Sequence, residues 1–149
     1  MKNIFFLTSL LFTAAFFCQS AKAQTEAQKI ELCTKAAGGD ATLEQSWSVQ
    51  LLAVKDGERT PTFKKAMAMR KGNRYRFTIC TDEESAGEAI LDLYDEAKKV
   101  GSSYIPETGK TYRSFDFDCA KSAIYIIFVS FKDGKEGSAV GILSHIKTL

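Results

Sequence analysis

Hydrophobic and polar residues alternate along most of this chain with a period of two, the signature of strands that bury one face and wet the other. The pattern is densest over residues 115–131, FDFDCAKSAIYIIFVSF. There Phe115 and Phe117 alternate with Asp116 and Asp118, a short corner follows at 120–122, and residues 124–129 are apolar at both parities. A strand that is apolar on both sides is expected to be covered on both. That places this one in the interior of an all-β domain.

The same period runs through the rest of the chain. Trp47, Val49, Leu51 and Ala53 share one face from Ser46 onward, and Asp56-Gly57 marks a turn. Phe63, Met67 and Met69 share another, followed by a turn at Lys71-Gly72-Asn73 and by Tyr75, Phe77 and Ile79. Residues 62–80 therefore read as a hairpin. Ala89, Leu91 and Leu93 predict a further strand, 101–104 a short edge strand, and Asp133-Gly134 a tight turn before a last strand over 137–146 with Val140, Ile142 and Ile146 in phase. About seven or eight strands at this spacing suit a sandwich or barrel. Only residues 24–37 break the period: Ala27, Ile30, Cys33 or Thr34, and Ala37 fit a short amphipathic helix, stopped by Gly38-Gly39-Asp40. Such a helix is expected to plug one end of the sandwich or to lie across its edge.

The first 23 residues have a different character. Lys2, an apolar run over 4–17 and Ala21-Lys22-Ala23 read as a secretory signal peptide with its cleavage site before Gln24. Phe16 and Phe17 stand where a lipid-attachment site at Cys18 would want small residues. The expected organisation is a leader over 1–23, a helix and linker over 24–45 and one β-sandwich domain over 46–149. Lys2 and Lys22 fall in the leader, so the balance of 20 basic against 18 acidic residues becomes even in the mature domain. An even balance gives no electrostatic reason to expect nucleic acid or an anionic membrane as partner. No segment beyond the leader is long and apolar enough to span a bilayer.

Export changes the reading of the cysteines. Cys33, Cys80 and Cys119 would sit in an oxidising compartment, where one disulfide and one leftover thiol is the simple arithmetic. Cys80 is out of phase with Tyr75, Phe77 and Ile79, so it points away from the main core, to a side where the segment that carries Cys33 could lie. Cys119 is in phase with Phe115 and Phe117. Parity thus favours Cys33–Cys80, while a chain without any disulfide fits the sequence nearly as well. The spacings suit neither zinc nor a redox motif.

The order of Arg74-Tyr75-Arg76-Phe77, then Leu91-Asp92-Leu93-Tyr94-Asp95, then Phe115-x-Phe117, then Ser122-Ala123-Ile124-Tyr125-Ile126-Ile127 resembles bacterial pre-peptidase C-terminal domains. The resemblance covers roughly residues 62–146 by pattern, with Ala123 where that family often has glycine. It implies a jelly-roll β-sandwich of the kind appended to secreted enzymes. Some members bind calcium or polymeric substrates, but no ligand residue maps onto this sequence.

Candidate chemistry is sparse. The one histidine, His145, lies in the last strand, and Ser138 within Gly137-Ser138-Ala139-Val140-Gly141 is one position early for a nucleophile elbow. Acidic residues cluster over 82–96 without the spacing of a calcium loop, and Asp116 and Asp118 share one face of one strand, where no cleft separates them. Neither a cofactor nor a metal is expected. Lys64, Arg70, Arg74 and Arg76 form a basic set on the outward positions of 62–80. They could hold an anionic glycan or an acidic partner, or pair across the sheet with the acidic strand, as exposed strand charges commonly do. No aromatic stripe interleaves them to mark a single-strand nucleic-acid site.

The expectation is an exported protein, periplasmic or extracellular: an all-β, antiparallel, jelly-roll-like sandwich with a short N-terminal helix. Its role would be non-catalytic binding or structure, with an envelope protein or a glycan as partner. The rivals are a small hydrolase with an unrecognised site, or a lipocalin-like barrel around an apolar ligand.

Overall fold

The computed structural model describes residues 24–149; the leader expected over 1–23, with Cys18, lies outside them. The described residues form one α-helix, α1 (Glu26–Ala36), a short 3-10 turn (Lys132–Gly134) and ten strands: β1 (Thr42–Leu51), β2 (Phe63–Met69), β3 (Asn73–Thr81), β4 (Ala89–Asp95), β5 (Lys98–Ser102), β6 (Tyr104–Ile105), β7 (Lys110–Thr111), β8 (Ser114–Cys119), β9 (Ala123–Phe131) and β10 (Gly137–Thr148). Strand β1 begins at Thr42, within the stretch expected to be linker.

Eight of the strands make two four-stranded sheets, β1-β10-β3-β8 and β2-β9-β4-β5, while β6 and β7 form a small separate hairpin. The pairings β4–β5, β3–β8, β2–β9 and β1–β10 are all antiparallel. They are the rungs of one long hairpin whose tip is the β4–β5 turn. Rolling that ribbon brings β10 beside β3 and β9 beside β4, and these two further antiparallel pairings complete the sheets. This is the jelly-roll topology.

The rolled ribbon corrects one expectation. Residues 62–80 are not a hairpin: β2 pairs with β9, and β3 pairs with β10 and β8. The turn at Lys71-Gly72-Asn73 is a corner that carries the chain from one sheet to the other, with Gly72 at φ +82°. Asp133-Gly134 likewise joins β9 to β10 across the sheets, with Asp133 at φ 59° and Gly134 at φ 66°. Corner and hairpin use the same turn residues, so local chemistry could not tell them apart.

Parity sorts the side chains. Trp47, Val49, Tyr75, Phe77 and Leu143 of the first sheet face Met67, Leu91, Leu93, Ile127 and Val129 of the second in one continuous core. Aromatic pairs lie within it, Phe77 stacked on Phe115 at 5.4 Å and Phe117 edge-on to Tyr125 at 5.3 Å. Side chains occupy the space between the sheets, which argues against a lipocalin-like interior.

Helix α1 neither plugs an end nor lies across an edge; it covers the outer face of the first sheet. Thr25 caps it reciprocally with Gln28: Gln28 N donates to Thr25 Oγ1 (3.3 Å) and Thr25 N donates to Gln28 Oε1 (3.0 Å). Its inward side packs Cys33 and Ile30 on Val140, Ile142 and Cys80, a second and smaller cluster. Cys33 and Cys80 are joined by a disulfide there, with Cα atoms 5.8 Å apart, and Cys119 is a buried free thiol. A register shift between His145 and Lys147 ends the phase that Ile142 and Ile146 were expected to share.

The second correction concerns β9. Tyr125, Ile127, Val129 and Phe131 are buried, but on the opposite face Ile124 is 58% exposed and Ile126 and Phe128 are only half-buried. Only the inner face of an antiparallel sheet meets the other layer, and the one helix is spent on the first sheet. The sandwich stands on a single dry face of β9. Its other face is left as surface.

Candidate functional site

That surface is the outer face of the second sheet, and register builds it row by row. One row places Lys64 of β2 beside Phe128 of β9, Asp92 of β4 and Ser102 of β5. The next places Ala66 beside Ile126, Tyr94 and Lys99, and a third sets Ala68 beside Ile124. Because β2 presents only Ala66 and Ala68 next to the isoleucines, nothing bulky shields them on that side, while Tyr94 of β4 flanks Ile126 on the other. Tyr94 and Phe128 meet edge to face at 5.3 Å. Lys64 Nζ and Lys99 Nζ each stand 5.7 Å from the centroid of Phe128 and Tyr94, respectively. Burial pulls the Lys99 ammonium down, but hydrogen bonding and charge from Asp92 (3.1 Å) outweigh it and hold its pKa above the ordinary lysine value. The result is an aromatic and aliphatic centre rimmed by lysines.

The four basic residues singled out in the sequence do not gather into one patch. Lys64 belongs to this face. Arg74 and Arg76 lie on β3, in the other sheet, and Arg70 sits at the corner, its backbone N–H donating to Tyr75 Oη (3.1 Å). Arg74 grips Asp118 through Nε and Nη2 (2.6 and 2.7 Å), which raises the guanidinium pKa and lowers that of the carboxylate. Arg76 grips Asp116 (2.6 and 3.0 Å) and also donates from Nη1 to Asp40 (3.0 Å) and to the Ala37 carbonyl at the end of α1 (2.8 Å). The Asp116 hydrogen bonds raise its pKa above the ordinary arginine value. These are cross-strand ion pairs of β3 with β8, the bland alternative for basic strand residues.

The residues weighed for catalysis are apart. Ser138 Oγ donates to Asp82 Oδ2 (2.6 Å), and Lys29 Nζ donates to the same oxygen (2.5 Å). Both line a groove of about 350 Å³ between α1 and the end of the sheet. His145 instead meets Asn73 Oδ1 (3.1 Å) and stands edge-on to Tyr75. Seven positions along β10 separate it from Ser138, on the order of 23 Å. A serine nucleophile and histidine base do not meet here. Asp116 and Asp118 are each spent on an arginine. Among the described residues, no cluster of three or more His, Cys, Asp or Glu could hold a metal ion, and no helix is long and apolar enough to cross a membrane.

The apolar face was missed in the sequence because residues 124–129 read as covered on both sides. The outward residues of β2, Lys64, Ala66 and Ala68, cannot cover an isoleucine, but only the pairing of β2 with β9 makes them its neighbours.

Compared with known proteins, the chain matches no family profile and no curated protein. Among solved structures it is similar to PliG of Aeromonas hydrophila, a periplasmic lysozyme inhibitor of g-type lysozyme, with a TM-score of 0.51 at 10% identity over 70% of this chain and 87% of that one. At that identity the likeness is one of fold alone.

Proposed function

We propose that the chain is an exported, non-catalytic module that binds a protein of the cell envelope, with a lysozyme as the most concrete class of partner. The observation that carries the reading is the uncovered face of the second sheet, where Ile124, Ile126, Phe128 and Tyr94 form an apolar centre inside a lysine rim. The leader-like start of the chain supports export, and the fold it has in common with a periplasmic inhibitor supports a role in binding. The separation of Ser138 from His145 supports a role without catalysis. Aromatic and aliphatic anchors of this kind dominate affinity where they enter a partner's pocket, and the lysines around them set orientation and on-rate.

The test is a lysis assay with g-type and c-type lysozymes on cell-wall substrate, run with the purified mature chain. Inhibition at stoichiometric amounts is expected, together with a loss of affinity on the order of 10- to 100-fold for Ile124→Lys and Phe128→Asp. If no lysozyme is inhibited, affinity capture from a periplasmic extract is repeated with wild type and Ile124→Lys. A protein retained by the first and lost by the second supports the binding face. Equal capture by both overturns it.

A further inference from the structure

We propose that β1 is a dimerisation edge, on which a second copy of this chain adds its own β1 about a two-fold axis. This does not rest on the partner reading above, which concerns the outer face of the other sheet. The sandwich has four edge strands, β1 and β8 in one sheet, β2 and β5 in the other. Three of them are guarded by charge: β8 alternates Asp116 and Asp118, β2 carries Lys64 and Lys65, and β5 carries Lys98 and Lys99 on only five residues. Charged and short edges are how sheets avoid adding strands.

Strand β1 has neither device along most of its length. It is ten residues long, and its single charge, Glu44, coincides with the register shift between Leu43 and Gln45. From Gln45 to Leu51 it runs in unbroken register with β10 and contains no charge, proline or glycine. Among the described residues no backbone partner occupies its free edge. Its outward side chains Ser46, Ser48 and Gln50 carry no charge themselves, and the carboxylate beside them, Glu26 of α1, accepts a hydrogen bond from Ser48 Oγ (2.7 Å). An edge of this kind is a template for another strand.

The identity of that strand follows from the symmetry of the segment. The clean run 45–51 is centred on Ser48, so an antiparallel two-fold there sets Ser48 against its own copy and Ser46 against Gln50 of the other chain. Trp47 then meets Val49, and inner faces stay with inner faces, as a continuous sheet requires. Two large apolar residues bracket the strand in water: Leu43, 43% exposed, and Leu52, 72% exposed. Counted through the register shift, where Glu44 is the extra residue, the same two-fold brings Leu43 of one copy alongside Leu52 of the other at both ends. A charged strand from elsewhere would gain neither contact.

Sedimentation equilibrium of the mature chain across micromolar to submillimolar concentration tests this. A dimer mass is expected, with concentration-dependent hydrogen-exchange protection confined to residues 45–51. Ser46→Glu with Gln50→Glu places like charges opposite each other across the axis and is expected to weaken dimerisation at least 10-fold. Ser46→Lys with Gln50→Glu places opposite charges there and is expected to restore it. A wild type that stays monomeric throughout overturns the proposal, as does a dimer indifferent to the double glutamate or one that the charge swap fails to rescue. Circular dichroism of both variants, whose changes lie on exposed or half-exposed positions, checks that the fold is intact.

Discussion

The indole of Trp47 occupies the space that a Cβ on Gly141 would need. The two residues are directly opposite each other on β1 and β10, so the close approach is written into the register. Any side chain at 141 must displace the ring, which is itself only 6% exposed. Gly141→Ala is therefore expected to cost on the order of 1–3 kcal/mol through overpacking. Trp47 is the single tryptophan of the chain, so its emission reports the change directly. A red shift accompanying a lower denaturant midpoint is the expected result. An unchanged midpoint would show that the ring moves aside freely.

The disulfide ties α1 to the first sheet across 47 residues of sequence. In the chain-entropy account a loop of that size is worth about 4 kcal/mol, and measured values commonly fall below the account. Cys33→Ala with Cys80→Ala is expected to lose about 2–4 kcal/mol. The helix itself buries little besides Cys33, and an isolated helix of this length is marginal in water. Hydrogen exchange should find the α1 amides unprotected in the variant and the sandwich strands still protected. Equal loss over both would mean that the helix and the sandwich unfold as one unit.

Arg76 and Arg74 look equivalent in sequence but differ in what they hold. Arg76 joins β3 to β8 and also closes the end of α1 through Asp40 and Ala37. Arg76→Ala is expected to cost about 2 kcal/mol, as charge-assisted hydrogen bonds do, and Arg76→Lys to recover only part because the bidentate geometry is lost. Arg74→Ala should cost less, since its pair with Asp118 is exposed to solvent. Urea midpoints of the three variants check the order.

The Asp118 carboxyl is held below the ordinary aspartate value, chiefly by its hydrogen bond from Arg74. A lowered pKa stabilises the fold above the unfolded value, about 3.9, and that contribution is lost as pH falls through the lower folded value. Stability of the wild type should therefore decline on acidification below about pH 4, and Asp118→Asn should flatten that decline. Parallel midpoints for both proteins across the acid range would remove this residue from the acid response.

At the other end of the pH scale, burial first and the Cys119 hydrogen bond second push the Tyr125 phenol up to about 12. Its hydroxyl donates to the Lys121 carbonyl (2.9 Å) at the corner between β8 and β9. A raised pKa means the folded state favours the neutral phenol. Its contribution is complete below pH 10 and lost as pH climbs from about 10 to about 12. Tyr125→Phe should lower stability by about 1 kcal/mol near neutrality and shrink the alkaline loss. An absorbance titration at 295 nm should assign the latest-ionising tyrosine to this position.

The faces of the strands were legible in the residues themselves. Alternation at 47 and 49, at 67 and 69, and at 75, 77 and 79 marked the inward side chains, because period two is a property of the extended backbone alone. The outward parity of Cys80 was legible in the same way, and so was the chance that basic strand residues pair with an acidic strand, but which carboxylates Arg74 and Arg76 hold came only from the register of β3 with β8.

What alternation cannot carry is the identity of a strand's neighbour. Lys71-Gly72-Asn73 turns the chain equally well within a sheet or between two, and only the pairing of β3 with the distant β10 and β8 made it a corner. In the same way, the apolar run 124–129 says that both sides of β9 are greasy without saying that both are covered. Coverage depended on where the single helix docked and on β2 offering only alanines beside the isoleucines. Those are long-range outcomes of hydrogen-bond pairing between segments far apart in sequence. They leave one side of β9 as core and the other as the surface on which the proposed function rests.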